Sequence, residues 1–200
     1  GAVLAVHARG KAALADPRAG GPGALARKLL AEGQAVLCID TFLTGEYQHP
    51  QTGSERKTYK FPDTFLPTDT AFRIHDIVTA AAFLRKETGV PVAVTGLGDA
   101  GVWALFAGAV DPTIASVVAD TAGFDPRNDA QWAEKHYMPC IRSVGDLTTA
   151  AALLAPRPVE LIHCADPGAW RDFQAAYANA AGPDGALAMA GEAGSTATGS

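Results

Sequence analysis

The stretch that decides the fold is Pro91-Val92-Ala93-Val94-Thr95-Gly96-Leu97-Gly98-Asp99-Ala100-Gly101, followed by an apolar run over 102–110 and then Asp111-Pro112. A short continuous run of apolar and β-branched residues reads as a buried strand. The glycines after it predict a sharp turn. The apolar run, closed by Asp-Pro, predicts a helix that stops where proline can no longer continue it. Small residues on both sides of the turn let helix and strand approach closely.

Working outward, the same grammar repeats. Ala2 to Val6 is a buried strand ended by His7-Ala8-Arg9-Gly10, and Ala35 to Ile39 is a second one ended by Asp40. Between them Pro22 and Gly23 open a helix with Ala24, Leu25, Leu29 and Leu30 on one face, and Gly33 supplies its left-handed stop. Asp69 or Thr70 caps a further helix, whose Ile74, Ile77, Val78, Ala81 and Leu84 recur at helical spacing up to Gly89. Beyond Pro112 come a strand over 114–119, a helix near 147–154, a strand over 159–163 leading to Asp166, a helix over 170–181 and a weak strand over 186–190. Strands alternating with helices at these lengths predict a three-layer α/β sandwich around a mostly parallel sheet, with sites at the carboxyl ends of the strands. We expect one domain over 1–190 with insertions at 41–68 and 121–155, and a flexible tail over 191–200.

Composition narrows the function classes. Hydrophobic residues make up 48% of the 200 and charged ones 18%, so a disordered chain is excluded. The balance of 16 Lys+Arg against 21 Asp+Glu, with no basic cluster, argues against nucleic acid and against an anionic membrane surface as partners. No apolar stretch reaches the roughly 18 residues that a spanning helix needs, and the chain does not open with a signal-peptide pattern. The compartment stays open. Three cysteines, Cys38, Cys140 and Cys164, have neither disulfide-framework nor zinc spacing, and we expect no metal and no cofactor.

The Gly96 to Gly101 turn has the frame of a nucleophile elbow, Gly-x-Ser-x-Gly. With it come the His-x-x-Gly turn at His7, Asp40 ending the second strand, Arg73-x-x-Asp76, Asp111-Pro112, Tyr137-Met138-Pro139, Gly145-Asp146, and Leu154-Ala155-Pro156-Arg157-Pro158. Together, in this order, they resemble the α/β-hydrolase superfamily, and within it the acetyl-xylan-esterase-like branch related to dienelactone hydrolases. The resemblance runs from Val3 to about Asp166. It implies an α/β-hydrolase fold that begins at the strand bearing the His-x-x-Gly turn and so lacks the usual amino-terminal strands. That leaves an exposed sheet edge, to be covered by a second copy or by a segment missing from this sequence.

Counting back from Asp111-Pro112 places Gly96 on the first glycine of the elbow and Gly98 on the nucleophile. Glycine carries no nucleophilic side chain, so no acyl-enzyme can form there. The resemblance puts the acid at Asp166 and the base on a histidine after the last strand, but the five histidines are His7, His49, His75, His136 and His163. The expected protein is therefore a pseudoenzyme whose cleft binds a small ester or carbohydrate. The alternative is an active acetyl-esterase-type hydrolase with a noncanonical or partner-supplied base, His163 being the candidate in this chain. His7 marks the oxyanion-loop turn. Leu97, Asp40 and His163 are candidate ligand contacts, and Asp99 is a secondary candidate nucleophile, as in elbows that carry a carboxylate. Each has an ordinary structural role as competitor: a helix N-terminal carboxylate for Asp99, a strand-end turn for Asp40, a loop cap before Pro167 for Asp166, and a strand-end histidine for His163. Arg73 and Asp76 have the spacing of an ion pair on one helix.

Overall fold

A computed structural model describes residues 1–18, 20–48 and 66–190. Six strands form one sheet: β1 (Ala2–His7), β2 (Ala35–Ile39), β3 (Val92–Leu97), β4 (Ile114–Asp120), β5 (Val159–Ile162) and β6 (Leu187–Met189). Their order is β2-β1-β3-β4-β5-β6, and every pairing is parallel rather than mostly so. Among the described residues six helices alternate with them: α1 (Ala24–Ala31), α2 (Asp69–Thr88), α3 (Ala100–Val110), α4 (Asp129–Lys135), α5 (Asp146–Leu154) and α6 (Arg171–Ala181).

The layers follow from chirality. The β1-to-β2 crossover steps in the opposite direction from all the others, so right-handed connections put α1 on one face and α2, α3, α5 and α6 on the other. The four-helix face is the core. Val92 and Val94, Val117 and Ala119, and Val159 and Leu161 are buried on it, while the alternate residues Ala93, Val118 and Glu160 are partly or fully exposed. Helix α3 lies at the centre, with every residue from Ala100 to Ala109 buried. A helix apolar all round is what this position requires. On the opposite face α1 is alone among the described helices. There Ala26 is its buried residue, and Leu30, read from the sequence as part of the apolar face, is 48% exposed.

Other boundaries also differ from the sequence reading. Thr68, not Asp69 or Thr70, caps α2, its hydroxyl accepting from the Ala71 N–H. Strand β3 runs on through Gly96 and Leu97, and β4 runs on to Asp120. The first turn after β5 is a 3-10 turn, Pro167–Trp170, ahead of α6. The segment 121–155, expected as an insertion, contains α4, a 3-10 turn at Ile141–Val144 and α5. The tail 191–200, His49 and most of the 41–68 insertion lie outside the described residues. Among the described residues no helix is long and apolar enough to cross a membrane.

Arg73 and Asp76 are not a pair on α2. Arg73 Nε donates to the Phe42 carbonyl at 3.0 Å, and Asp76 Oδ2 accepts the Phe42 N–H at 2.8 Å. The two side chains together clamp the backbone that follows β2.

Candidate functional site

The chain reverses direction in the sheet between β1 and β3, and it is at the carboxyl ends of such strands that a crevice opens. Four neighbouring strand ends each bring one residue to it: His7 from β1, Gly98 after β3, Asp120 from β4 and His163 after β5.

The elbow is built by close approach. A Cβ on Gly96 would strike the Ala100 carbonyl, and one on Gly101 would strike the Asp120 backbone, so both must be glycine for α3 to sit against β3 and β4. Gly98 differs. Its φ is +63°, yet the nearest atom to a Cβ there is the Ala8 Cβ at 3.4 Å, an ordinary contact. The turn has room for a side chain at Gly98 and carries none.

Asp120 organises the site. Its Oδ2 accepts the Gly98 N–H at 3.0 Å, and its Oδ1 accepts the Ala122 N–H at 2.8 Å and lies 2.9 Å from His163 Nδ1. Burial pushes this carboxyl up, but the Gly98 and Ala122 amides and then His163 outweigh it, and its pKa is held below the usual carboxylate value. His163 sits at φ +54° and is fixed from below by the Thr121 hydroxyl, which donates to its carbonyl at 2.7 Å. Its side chain remains 56% exposed. His7 Nδ1 accepts the Arg9 N–H at 3.0 Å, which leaves the proton on Nε2. Burial and the Arg9 charge lower the His7 pKa against the opposing field of Asp120.

The remaining candidates stand elsewhere. Asp166 accepts the Gly168 N–H at 2.8 Å and pairs with Arg127 at 2.8 Å, capping the 3-10 turn before α6. The carboxylate beside Gly98 is thus Asp120, one residue beyond the 114–119 run that the sequence reads as a strand. Asp99 opens α3 and pairs with Lys135 at 3.4 Å. Asp40 accepts from the Lys11 N–H at 2.7 Å, the Lys11 ammonium at 2.8 Å and the Glu46 N–H at 3.2 Å, so it ties the His7 loop to the turn after β2. Leu97 ends β3 opposite His7, and its carbonyl accepts the Ala8 N–H.

An imidazole with one nitrogen tied to a carboxylate and the other free is arranged to accept a proton. Among the described residues no group of His, Cys, Asp and Glu is placed to hold a metal ion.

No protein-family model and no curated protein matches the sequence. Solved structures do. A protein named as an acetyl xylan esterase from Bacteroides fragilis superposes with a TM-score of 0.68 at 16% identity, over 96% of this chain and 58% of its own. A glucuronoyl esterase from Solibacter usitatus gives 0.61 at 18% identity, over 90% and 60% respectively. A protein named as a dienelactone hydrolase from Klebsiella pneumoniae gives 0.56 at 17%, over 96% and 73%. The chain spans about 60% of the length of the first two. With a parallel sheet, a strand-turn-helix elbow and this set of neighbours, the chain has the α/β-hydrolase fold.

Proposed function

We propose that this protein is an esterase-like member of its fold that forms no acyl-enzyme at the elbow and retains the cleft as a binding site for a small ester or carbohydrate. Gly98 carries this reading. At φ +63° a non-glycine nucleophile is strained by about 1–3 kcal/mol, and glycine relieves that strain once no side chain is required. The ligand class follows the acetyl xylan and glucuronoyl esterases among its structural neighbours. The test is p-nitrophenyl acetate hydrolysis together with labelling by a fluorophosphonate. Background hydrolysis and no adduct are expected. A burst of p-nitrophenol or a covalent adduct at the cleft overturns the reading.

A second reading is favoured by the Asp120–His163 contact alone. In it the free nitrogen of His163 takes a proton from water as the water oxygen attacks the ester carbonyl, and the imidazolium returns it to the departing alkoxide. The tetrahedral adduct of water and ester collapses to acid and alcohol, and no covalent bond to the protein forms. Its signature is turnover without a burst, abolished in His163→Gln.

A further inference from the structure

The outer edge of β2 is unpaired among the described residues. Its one neighbour in the sheet is β1, with Ala35 to Ile39 set against Ala2 to Val6. The Ala35 N–H donates to the Gly1 carbonyl at 3.0 Å, and parallel alternation then turns Ala35, Leu37 and Ile39 toward β1. The N–H and C=O of Val36 and Cys38 point the other way. The strand carries no charge, no proline and no bulge, the features that ordinarily keep a sheet edge from pairing.

Beside this edge the α1 face is incompletely filled. Leu14, Ala26, Leu30, Val36 and Cys38 line an apolar recess of about 460 Å³, and Leu30 is 48% exposed. A right-handed crossover sets α1 antiparallel to β2, so Leu30 stands at the end of the recess where β2 begins. Lys11 and Glu46, paired at 2.8 Å, stand at the end where β2 finishes, beside Asp40.

We propose that two copies of this chain pair through β2, antiparallel across a two-fold axis at Leu37, into one continuous sheet. The outward groups of β2 are placed symmetrically about Leu37, so Val36 of each copy meets Cys38 of the other as a hydrogen-bonded pair and four new bonds form. This register keeps the whole strand opposite its copy, whereas an axis at Val36 or Cys38 leaves two residues of each strand unopposed. The axis also sets both α1 helices on one face, with Leu30 of the second copy beside the Lys11 end of the recess. A two-fold closes the edge on itself, while head-to-tail pairing leaves another edge open. Five residues span about 17 Å, and with a helical layer on each face the edge is about 30 Å deep. The pair then buries about 1,000 Å², the lower bound for a specific contact, which makes the dimer weak and concentration-dependent. The pairing is independent of the chemistry at Gly98.

The test is sedimentation of the full chain from about 1 μM to about 1 mM, where a monomer–dimer equilibrium is expected. Val36→Pro removes an outward N–H and puts a ring in its place, while Ala35 and Leu37 keep their bonds to β1; it should weaken association at least about tenfold with the circular dichroism unchanged. Leu37→Cys, in a Cys140→Ser background, sets two thiols on a non-hydrogen-bonded pair with Cα atoms about 4.5 Å apart, within disulfide reach, and should give a covalent dimer on oxidation. Cys38, two residues out of register with its copy, should give none. A monomer at every concentration would overturn the proposal, and slow exchange of the Val36 and Cys38 amides in that monomer would assign the edge to another part of this chain. A dimer that ignores Val36→Pro and forms no Leu37→Cys disulfide uses another surface and overturns it equally, as does growth beyond the dimer.

Discussion

His163 Nδ1 lies 2.9 Å from Asp120 Oδ1, and the other oxygen of that carboxylate accepts the Gly98 N–H at 3.0 Å. One carboxylate thus joins the end of β4 to the backbone of the elbow and to the residue after β5. The parallel register makes this possible, because Asp120 pairs with Ile162 and so brings His163 alongside. The contact gives the cleft an oriented imidazole beside a turn whose central residue, Gly98, has no side chain.

Asp120→Asn is expected to destabilise the fold by roughly 1–3 kcal/mol. The amide can accept with one atom only, so its NH₂ would face the Gly98 or Ala122 N–H or the imidazole. At about 2–4 °C per kcal/mol for a chain of this size, the melting temperature should fall by several degrees. The pH dependence has a definite sign. The folded pKa of Asp120 is depressed, so its contribution is present above the unfolded carboxylate value near 3.8 and is lost as pH falls through the folded one. Urea unfolding at pH 7 and pH 3 checks this: the gap between wild type and variant should narrow at the lower pH.

Gly98→Ala and Gly45→Ala separate backbone strain from crowding. Both glycines have positive φ, +63° and +52°, but a Cβ at Gly98 meets only Ala8, whereas one at Gly45 meets the Asp40 carboxylate. Gly98→Ala should cost about 1–2 kcal/mol, the left-handed penalty for a residue with a Cβ. Gly45→Ala should cost at least twice as much, since it also displaces the carboxylate that holds Lys11 and Glu46. Chemical denaturation of the two variants is the measurement. Equal losses would show that Asp40 moves aside freely.

Much of the fold was legible in the sequence, because buried parallel strands read as continuous apolar runs and glycines stop the helices that follow them. Gly33 and Gly89 do so at φ +76° and +69°. The sharp turn at Gly98, at φ +63°, was legible from the glycines that end the strand. Asp120 was not. It is a charged residue on the last position of β4, and a strand traced by its apolar run stops at Ala119. Its bond to His163 depends on strand register, which local periodicity does not report. Arg73 and Asp76 show the same limit, since their spacing suits a mutual pair and the backbone of Phe42 recruits both. The Trp103–His136 contact was hidden for a similar reason: the indole that donates to His136 Nδ1 is on α3, while His136 follows α4.

Arg157 accounts for part of the segment that resembles the esterase branch. Its guanidinium donates to the carbonyls of Asp111, Ile114, Leu153 and Leu154, and its own carbonyl accepts the Tyr177 hydroxyl. One side chain ties the ends of α3 and α5 to the start of β4. Arg157→Met should therefore cost at least about 2 kcal/mol by stranding several carbonyls, and Arg157→Lys less, because an ammonium can still reach some of them. Thermal unfolding of the pair gives the order; a smaller loss for methionine than for lysine would refute the clamp.

The stability of this protein should also fall between pH 6.5 and about 4, with His136 the larger contributor and His7 a smaller one of the same sign. Burial lowers the folded pKa of His136 to about 4, while in the unfolded chain it titrates near 6.5. Below 6.5 the unfolded state takes up a proton that the folded state refuses, so the contribution is complete above 6.5, declines as pH falls, and levels off near the folded value. A separation of this size is worth about 3 kcal/mol across the window. His136→Gln can still accept from the Trp103 indole and has no proton to gain. Its unfolding free energy, followed by urea titration from pH 7.5 to 4, should lose most of that decline and keep the part due to His7, and its difference from wild type should shift in favour of the variant as pH falls. A parallel decline in both proteins would assign the window to other groups and would leave His136 protonated in the fold at an ordinary pH.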